Sequence, residues 1–555
     1  MAAALRRPAL PRSAVILIAA VGLLIADIVG HGQGMMPAAL VLAIVVMLVA
    51  AHVASRWSWL VSGLIIVDLL IPSDGRYTLA GGLPFELEPY RLFVALLYVG
   101  WVASLLCDPR VKVRRTGFEG PLALILFAIV GSLVFNPARV NGAESFVIKS
   151  VWLEASFLLV IYFVVSVVRT RAILDWLVKI LVCAGTIEGA GAIIERKKGF
   201  NIFNHEHLLL PIFHFNSFVV TVNSRGGDIR AQASSGAAID LSATMAMLVP
   251  FAIYLGVTRR QRRWYAAAVV LLGGDFAAGS RTGLIAVVVM LIVFLWLRRR
   301  ETLRCWPALI PLLIVVHFLD PGALGGFYKG LFPAGGLVAQ QSQTFSGVGG
   351  VQENANRLSR WGPELAEFSR YNPLFGEGFG TRITGRTSLN QVLKGPLDYS
   401  FGNQIAANGS LGKAEILDDQ WLGTLLEIGV LGLIGWVWLF GRSIKRLGAR
   451  AKLERDTLEG WLPVAIAASL AGFVASMLFY DAFSFTQGDF LMHLVVGFAA
   501  AILTLPSATK ASGRPVAVRS SRAYSFSSRR CRDAHERLRR SGPEARRGDP
   551  ATPMR

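Results

Sequence analysis

Long apolar stretches recur along the chain and alternate with short segments rich in arginine and lysine. A helix needs about 20 mostly apolar residues to cross the ~30 Å hydrocarbon layer of a membrane. Fourteen stretches approach this length, so the pattern predicts an all-α protein: a polytopic membrane helical bundle of about 12–14 spans. The predicted spans are residues 14–30, 36–53, 58–72, 92–107, 121–135, 150–168, 173–195, 237–257, 264–280, 282–297, 305–319, 421–440, 460–480 and 489–505.

The distribution of basic residues predicts how these spans are oriented. Cationic loops remain in the cytoplasm when a membrane protein inserts. With residue 1 placed inside, the predicted inner loops hold 24 of the 56 Lys and Arg residues, whereas the short outer loops hold only 5. We therefore expect a multi-pass protein of the cytoplasmic (inner) membrane with both termini in the cytoplasm.

The composition supports a membrane protein and excludes several other classes. Hydrophobic residues make up 54% of the 555 residues and charged residues only 17%, whereas soluble domains carry about 25% charged residues. A soluble enzyme, a disordered protein and a disulfide-framed secreted domain are thereby excluded. The four cysteines are far apart, so they predict neither a disulfide framework nor a zinc site.

The net charge of +20 comes in large part from the tail, residues 506–555, which carries 13 Lys and Arg against 4 Asp and Glu. Its polar, aperiodic sequence predicts a disordered cytoplasmic segment beside anionic membrane lipids. No recognition helix accompanies the charge, so no nucleic-acid partner is expected. Ahead of the tail we expect an N-terminal region of about seven spans (1–236), a central core (237–440) and C-terminal spans (441–505).

Two predicted outer segments, 196–236 and 320–420, are too long to be simple turns. Long loops in compact proteins are usually functional or disordered. The larger is expected to be partly helical, because apolar residues recur in it at spacings of three and four. The smaller contains His205, Glu206 and His207, but their spacing matches no recognised set of metal ligands, so no metal is expected.

Several ionisable residues fall near the predicted outer ends of the later spans or in the outer segments between them. Charged groups within spans are costly and usually face a cavity or a partner. The pattern therefore predicts a cationic pocket that opens to the outside, close to the lipid, although an ion pair of Asp275 with Arg281 is a structural alternative. The arginines that would form this pocket are Arg230, Arg281, Arg357 and Arg360.

Four short motifs occur in order between about residues 225 and 440. They are Arg-Ala-Gln-Ala at 230–233; Gly-Ser-Arg-Thr-Gly-Leu at 279–284; Asn-Arg-Leu-Ser-Arg-Trp at 356–361 with Asn-Pro-Leu-Phe-Gly-Glu-Gly-Phe-Gly at 372–380; and Asp-Asp-Gln-Trp-Leu at 418–422 with Glu-Ile-Gly-Val-Leu-Gly at 427–432. Their order and their placement at the outer ends of spans resemble the O-antigen ligase and Wzy-type O-antigen polymerase superfamily.

The resemblance implies a fold and an activity like those of the C-type glycosyltransferases. These enzymes transfer a glycan from an undecaprenyl-diphosphate-linked donor to a hydroxyl of a glycan or lipid-linked acceptor at the outer leaflet. By resemblance, Arg230 and Arg281 would hold the donor diphosphate, and Arg357 or Arg360 would assist from the loop. Arginine suits this role because it stays charged and binds phosphate through two N–H groups. No metal or other cofactor is then expected, and other polysaccharide-assembly proteins are candidate partners.

Asp418 and Asp419 are the candidate general bases, since the acceptor hydroxyl must lose its proton as it attacks the anomeric carbon. Many ligases of the superfamily have His-Asn at this position. The departure favours a polymerase-like or another envelope-glycan role over ligation to lipid A–core.

Two other functions fit part of the pattern. A transporter or flippase of envelope precursors would also contain many spans with intramembrane charges, but the sequence shows neither an internal repeat nor paired interrupted spans. An envelope scaffold or sensor without chemistry would leave the loop arginines in ion pairs on the surface.

Overall fold

The computed structural model is a bundle of long helices. It describes residues 57–72, 76–79, 89–107, 112–142, 144–208, 213–215, 224–225, 228–304, 365–366, 368, 371–381 and 419–507. The α-helices of this part are α1 (Trp57–Leu70), α2 (Pro89–Cys107), α3 (Glu119–Phe135), α4 (Pro137–Gly142), α5 (Glu144–Val167), α6 (Arg171–Lys198), α7 (Ala238–Arg259), α8 (Arg262–Ala277), α9 (Arg281–Arg304), α10 (Gln420–Leu453), α11 (Trp461–Ser476) and α12 (Thr486–Thr504).

The helices follow the predicted spans. Each predicted span that falls within the described residues coincides with a helix, whereas the spans predicted at 14–30, 36–53 and 305–319 lie outside them. Among the described helices, eight are long and apolar enough to cross a membrane, and α1 and α3 are apolar but shorter. The prediction of an all-α, polytopic membrane protein is confirmed. The eight are α2, α5, α6, α7, α9, α10, α11 and α12.

The outer helices of the bundle expose large apolar side chains. Leu106 is 82% exposed, Trp152 is 78% exposed and Val99 is 69% exposed. In water such a surface would be costly, but in a membrane it contacts lipid. Helices α7 and α12, by contrast, are buried along most of their length and form the centre of the bundle.

Three arginines from different helices meet around Glu454, which is fully buried; we call this group the Glu454 cluster. Arg450 Nε lies 2.7 Å and Arg171 Nη1 lies 3.5 Å from the Glu454 carboxylate. Arg298 donates to the Glu454 carbonyl oxygen at 3.5 Å. The opposite ends of α6, α9 and α10 carry Arg196, Arg281 and Asp419, so the candidate site residues and the Glu454 cluster lie at different ends of the bundle.

Helix α10 is interrupted at Gly429, which has φ 69° and ψ −171°. Residues 371–381 pack against this interruption and exchange backbone hydrogen bonds with it. The sequence pattern predicted one continuous span over 421–440. The structure instead has a first part of α10, residues 420–428, and a second part, residues 430–453.

Two pairs of short strands and a 3₁₀ helix, Ile202–Leu208, lie at the end of the bundle opposite the Glu454 cluster. Strand β1 (Tyr77–Leu79) pairs antiparallel with β2 (Phe213–Phe215), and β3 (Ser224–Arg225) pairs antiparallel with β4 (Asp228–Ile229).

Tyr77 ties β1 to the 3₁₀ helix. Its hydroxyl donates to Phe203 O at 2.6 Å and accepts from Glu206 N at 2.9 Å. Burial raises the pKa of Tyr77 to about 12. Burial also raises the pKa of the Glu206 carboxyl to about 8, although the positive charge of Arg76 opposes this shift.

The Glu454 cluster provides a test of the fold. Glu454→Ala leaves Arg171 and Arg450 without their shared acceptor, so we expect it to lower the free energy of unfolding by about 3–5 kcal/mol. The unfolding temperature of the detergent-purified protein measures this loss. Glu459→Ala is the matched control, since the Glu459 side chain also contacts Arg171, at 3.2 Å, but is 52% exposed. Exposed pairs contribute about 0–1 kcal/mol. Equal unfolding temperatures for the two variants would contradict the prediction.

Glu206 predicts a pH dependence of stability. The folded protein keeps this proton up to about pH 8, whereas the unfolded chain releases it near the usual pKa of 4.5. The folded state therefore binds more protons between these values, and its stability falls as the pH rises from about 4.5 to 8. We expect Glu206→Gln to reduce this fall, as measured by unfolding temperatures at pH 5 and pH 8. The exposed Asp456→Asn control should behave like the wild type; an unchanged fall in Glu206→Gln would contradict the prediction.

Candidate functional site

The irregular segment that connects β4 to α7 contains Arg230, and its residues 231–235 are buried. We call it the 230–235 segment. Buried backbone groups must be hydrogen-bonded, and here side chains from remote elements bond to them. Arg76 donates to Ala233 O and to Ser235 O, both at 2.7 Å. The Glu195 carboxylate at the end of α6 accepts from Ala233 N at 2.7 Å. The segment is therefore held in one position by ionic side chains.

Buried polar side chains of three helices form hydrogen bonds that hold the same segment. The Ser234 hydroxyl donates to Glu188 of α6 at 2.6 Å, and the Gln487 side chain of α12 donates to the same carboxyl oxygen at 3.0 Å. The Ser235 hydroxyl donates to Asp240 of α7 at 2.8 Å. Because all these groups are buried, the hydrogen bonds fix the register of the segment against the helices.

Arg196 and Arg230 meet at the C-terminal end of α8. Arg230 Nε donates to Ala278 O at 3.1 Å. Arg196 Nη1 donates to Ala277 O at 3.5 Å and to Ile229 O at 3.1 Å. The last carbonyl groups of a helix lack partners within the helix and form its negative end, which attracts cations. These bonds orient both guanidinium groups beside the turn that follows α8.

This turn leads directly into α9, which begins at Arg281. Gly279 has φ 59° in the turn, and a Cβ added to it would lie 3.3 Å from Arg196 Nη1 and 3.6 Å from Arg230 Cγ. The two arginines thus flank the backbone immediately before the N-terminus of a long helix. Helix N-termini bind anions through their backbone N–H groups and the helix dipole.

The start of α9 is fixed by a buried serine of α7. The Ser242 hydroxyl accepts from Gly283 N at 3.0 Å and donates to the Asp275 carboxylate. Asp275 is thus hydrogen-bonded to Ser242. The sequence pattern also allowed an ion pair of Asp275 with Arg281 as an alternative, but the Arg281 side chain lies outside the described part of the structure.

Asp419 forms the N-cap of α10. Its Oδ1 accepts from Trp421 N at 2.9 Å and from Leu422 N at 3.2 Å. Aspartate is favoured at this position because its side chain satisfies N–H groups that have no partner within the helix. The carboxylate is nearly buried, at the end of the bundle opposite the Glu454 cluster.

The structure thus brings Arg230 to the turn before Arg281 and places Asp419 at the start of α10. The remaining predicted site residues, Arg357, Arg360 and Asp418, lie outside the described residues. The meeting of several guanidinium groups around a diphosphate stays a prediction.

Several residues near the 230–235 segment were not identified from the sequence. Glu188 and Asp68 lie inside predicted spans, and Gln487 bonds to the carboxyl of the first and to the backbone oxygen of the second, each at 3.0 Å. The rule that ionisable residues within spans have partners would have identified both. Arg196 lies one residue beyond a predicted span, and no pattern along the sequence indicates its contact with α8.

The histidines of the smaller outer segment contact backbone and aromatic rings. His205 Nδ1 lies 3.0 Å from Asn201 O, and the His207 ring stacks on Phe215 with centroids 5.2 Å apart. Within the described residues, no group of three or more His, Cys, Asp or Glu side chains is arranged to hold a metal ion.

No curated protein matches the chain. A family model described as O-antigen ligase matches residues 266–437. This range contains the turn before Arg281, helix α9 and the interrupted part of α10, and the 230–235 segment bonds to it at Ala277 and Ala278. The predicted resemblance to the O-antigen ligase and polymerase superfamily is therefore confirmed, and this multi-pass membrane protein is similar to the O-antigen ligase family over residues 266–437.

Proposed function

We propose that this protein is a membrane glycosyltransferase of cell-surface polysaccharide assembly. It transfers a glycan from an undecaprenyl-diphosphate-linked donor to an acceptor hydroxyl, as a polymerase or a ligase. The observation that carries the proposal is the position of Arg230 and Arg196 beside the turn into α9, a helix that lies within the segment similar to O-antigen ligase.

The diphosphate of the donor would bind at this turn. Gly279 has no side chain, so Arg196 and Arg230 can lie against the backbone of the turn, and the N-terminus of α9 favours an anion. The guanidinium groups of Arg230 and Arg281 would then hold the phosphate oxygens, with Arg196 beside them. Arg357 or Arg360 would assist from the outer loop, as the resemblance implies.

The reaction requires little from the protein besides charge and a base. The acceptor oxygen forms a bond to the anomeric carbon, and the bond from that carbon to the diphosphate oxygen breaks. The electron pair leaves with the diphosphate, whose negative charge is stabilised by fixed guanidinium groups. The acceptor proton passes to a carboxylate, and direct displacement inverts the configuration at the anomeric carbon.

Of the two candidate bases, Asp418 fits this role better. The Oδ1 atom of Asp419 already accepts two backbone N–H groups of α10, and its side chain is nearly buried. We therefore assign Asp419 to holding the start of the helix and Asp418 to proton transfer.

We propose that the site faces outward from the cytoplasmic membrane and that both termini are cytoplasmic. Support comes from the arginines of the Glu454 cluster, which lie at the helix ends opposite the site, since basic residues flanking membrane spans remain inside. An outward site would meet the donor at the outer leaflet.

The interruption in α10 favours transfer over transport. In many transporters, paired interrupted helices leave unwound backbone to bind substrate or ions. Here the backbone at Gly429 bonds to residues 371–381 of the same protein. The interruption is thus filled by protein rather than left to line a transport path.

Substitution of the arginines tests the proposed site. We expect Arg230→Ala and Arg281→Ala each to lower glycan transfer by roughly 10²–10³-fold, the usual effect of removing a group that stabilises charge in the transition state. The assay uses the full chain in proteoliposomes with a lipid-linked glycan donor, and products are separated by gel. Lysine variants should retain part of the rate, since they keep the charge without the two-pronged geometry.

Arg300→Ala is the matched control, because Arg300 is an exposed arginine at the other end of the same helix as Arg281. Its transfer rate should equal that of the wild type. Normal transfer by Arg281→Ala would overturn the assignment. Movement of the intact donor across the bilayer without transfer would indicate a flippase.

The two aspartates can be separated by their expected roles. Asp418→Asn should abolish transfer without lowering the unfolding temperature, because asparagine keeps the size and polarity of the side chain but cannot act as a base. Asp419→Ser should retain transfer, since serine is also a good N-cap, whereas Asp419→Ala should lose about 1 kcal/mol of stability. Loss of transfer in Asp419→Ser with normal transfer in Asp418→Asn would reverse the two roles.

A further inference from the structure

We infer that the contact between residues 371–381 and the interruption of α10, which we call the joint, positions the first part of α10 for the transfer reaction. Arg139 and Glu377 are then positioning residues. The inference rests on the proposed function, because residues 420–428 directly follow the candidate bases. Neither residue was identified as functional from the sequence.

The joint replaces the backbone hydrogen bonds that α10 loses at Gly429. The backbone carbonyl oxygens of Leu426 and Glu427 accept from Glu377 N at 2.8 Å and from Gly378 N at 3.1 Å, respectively. On the other side, Val430 N donates to Pro373 O at 3.0 Å and Leu431 N donates to Leu374 O at 3.3 Å. A helix within a membrane can be interrupted only where protein or water satisfies its backbone.

Two glycines allow the backbones to touch. A Cβ added to Gly429 would lie 2.3 Å from Leu374 O, and one added to Gly376 would lie 2.4 Å from Leu426 O. Both glycines also have positive φ, at 69° and 72°. Side chains at these positions would separate the segments, so the joint depends on their absence.

The joint is bonded to the neighbouring helix α3. Asn136 at its end donates to Gly376 O at 2.9 Å, and Ser132 accepts from Phe379 N at 3.0 Å. The Phe375 ring stacks on Phe135, with centroids 4.7 Å apart. Through these contacts α3 fixes the segment that fixes α10.

A buried ion pair ties the joint to α4. The Glu377 side chain is fully buried and lies 3.3 Å from Arg139 Nη2, while Arg139 Nη1 donates to the Tyr371 hydroxyl at 2.7 Å. The Arg139 guanidinium also lies over the Tyr371 ring, 5.2 Å from its centroid. A carboxylate buried in this way must be paired, so Arg139 holds Glu377, and with it the backbone that bonds to Leu426, in place.

The start of α10 is fixed separately. Gln420 N donates to Met477 O at 2.9 Å, and the Gln420 side chain accepts from Phe483 N at 2.6 Å. Trp421 Nε1 donates to Val474 O at 3.3 Å. Residues 420–428 are thus bonded to the bundle at both ends, so loss of the joint leaves this short stretch, which directly follows the aspartates, held at its start alone.

The test compares Arg139→Ala, Arg139→Lys and Glu377→Gln in the full chain. For Arg139→Ala we expect kcat to fall by about 100-fold with little change in KM for the lipid-linked donor, because small displacements of catalytic groups can cost this much. Arg139→Lys keeps the charge and should recover part of kcat. Arg259→Ala is the control. It removes the ion pair between Arg259 Nη2 and Asp175 Oδ2, which are 3.7 Å apart and lie outside the joint, and it should leave kcat unchanged.

Hydrogen–deuterium exchange of the purified chain in detergent measures the joint without relying on activity. Arg139→Ala and Glu377→Gln should speed amide exchange in residues 420–431 by about tenfold or more and leave residues 238–259 unchanged. A purely structural role would instead lower the amount of folded protein, with kcat per folded molecule unchanged.

Two results overturn the inference while the proposed function stands: unchanged exchange at 420–431, or normal kcat in Arg139→Ala while Arg230→Ala abolishes transfer. If Arg230→Ala transfers glycan normally, the proposed function fails and the positioning role fails with it. Faster exchange together with a selective loss of kcat supports the inference.

Discussion

Polar groups within a membrane must find their partners inside the protein, because hydrocarbon provides none. This constraint shapes the two irregular segments near the candidate site. In the 230–235 segment, Arg76 and Glu195 bond to the backbone. At the interruption of α10, residues 371–381 supply the missing backbone partners. Each segment is held by groups remote in sequence, and each contains or adjoins residues to which we assign a function.

The arginines at the two ends of the bundle meet this constraint with different partners. At one end, Arg171 and Arg450 share the buried carboxylate of Glu454, which links the ends of α6 and α10 and stabilises the fold. At the other end, Arg196 and Arg230 donate to carbonyl oxygens at the end of α8 and are oriented by them. The first arrangement neutralises charge within the protein, and the second directs guanidinium groups toward one turn.

Much of this architecture could be predicted from the sequence, because apolar length and charge distribution are local properties. The helices coincide with the predicted spans, and Arg230 lies beside the turn that precedes Arg281. The interruption at Gly429 could not be predicted, because Gly429 lies among the apolar residues Ile428, Val430 and Leu431 and the cause of the break lies in residues 371–381. The same is true of Arg139, whose partner Glu377 is more than 200 positions away. Contacts between remote backbones leave no periodic pattern in either segment.

The interrupted helix also bears on how such proteins can diversify. The backbones of Gly376 and Gly429 touch, so neither stretch can accept an insertion or a bulky side chain without a matching change in the other. The two stretches must therefore evolve as a unit. Sequence differences between relatives are expected to accumulate on either side of residues 371–381. A chimera that takes the loop containing residues 371–381 from a relative should then fold well only when residues 426–431 come from the same relative.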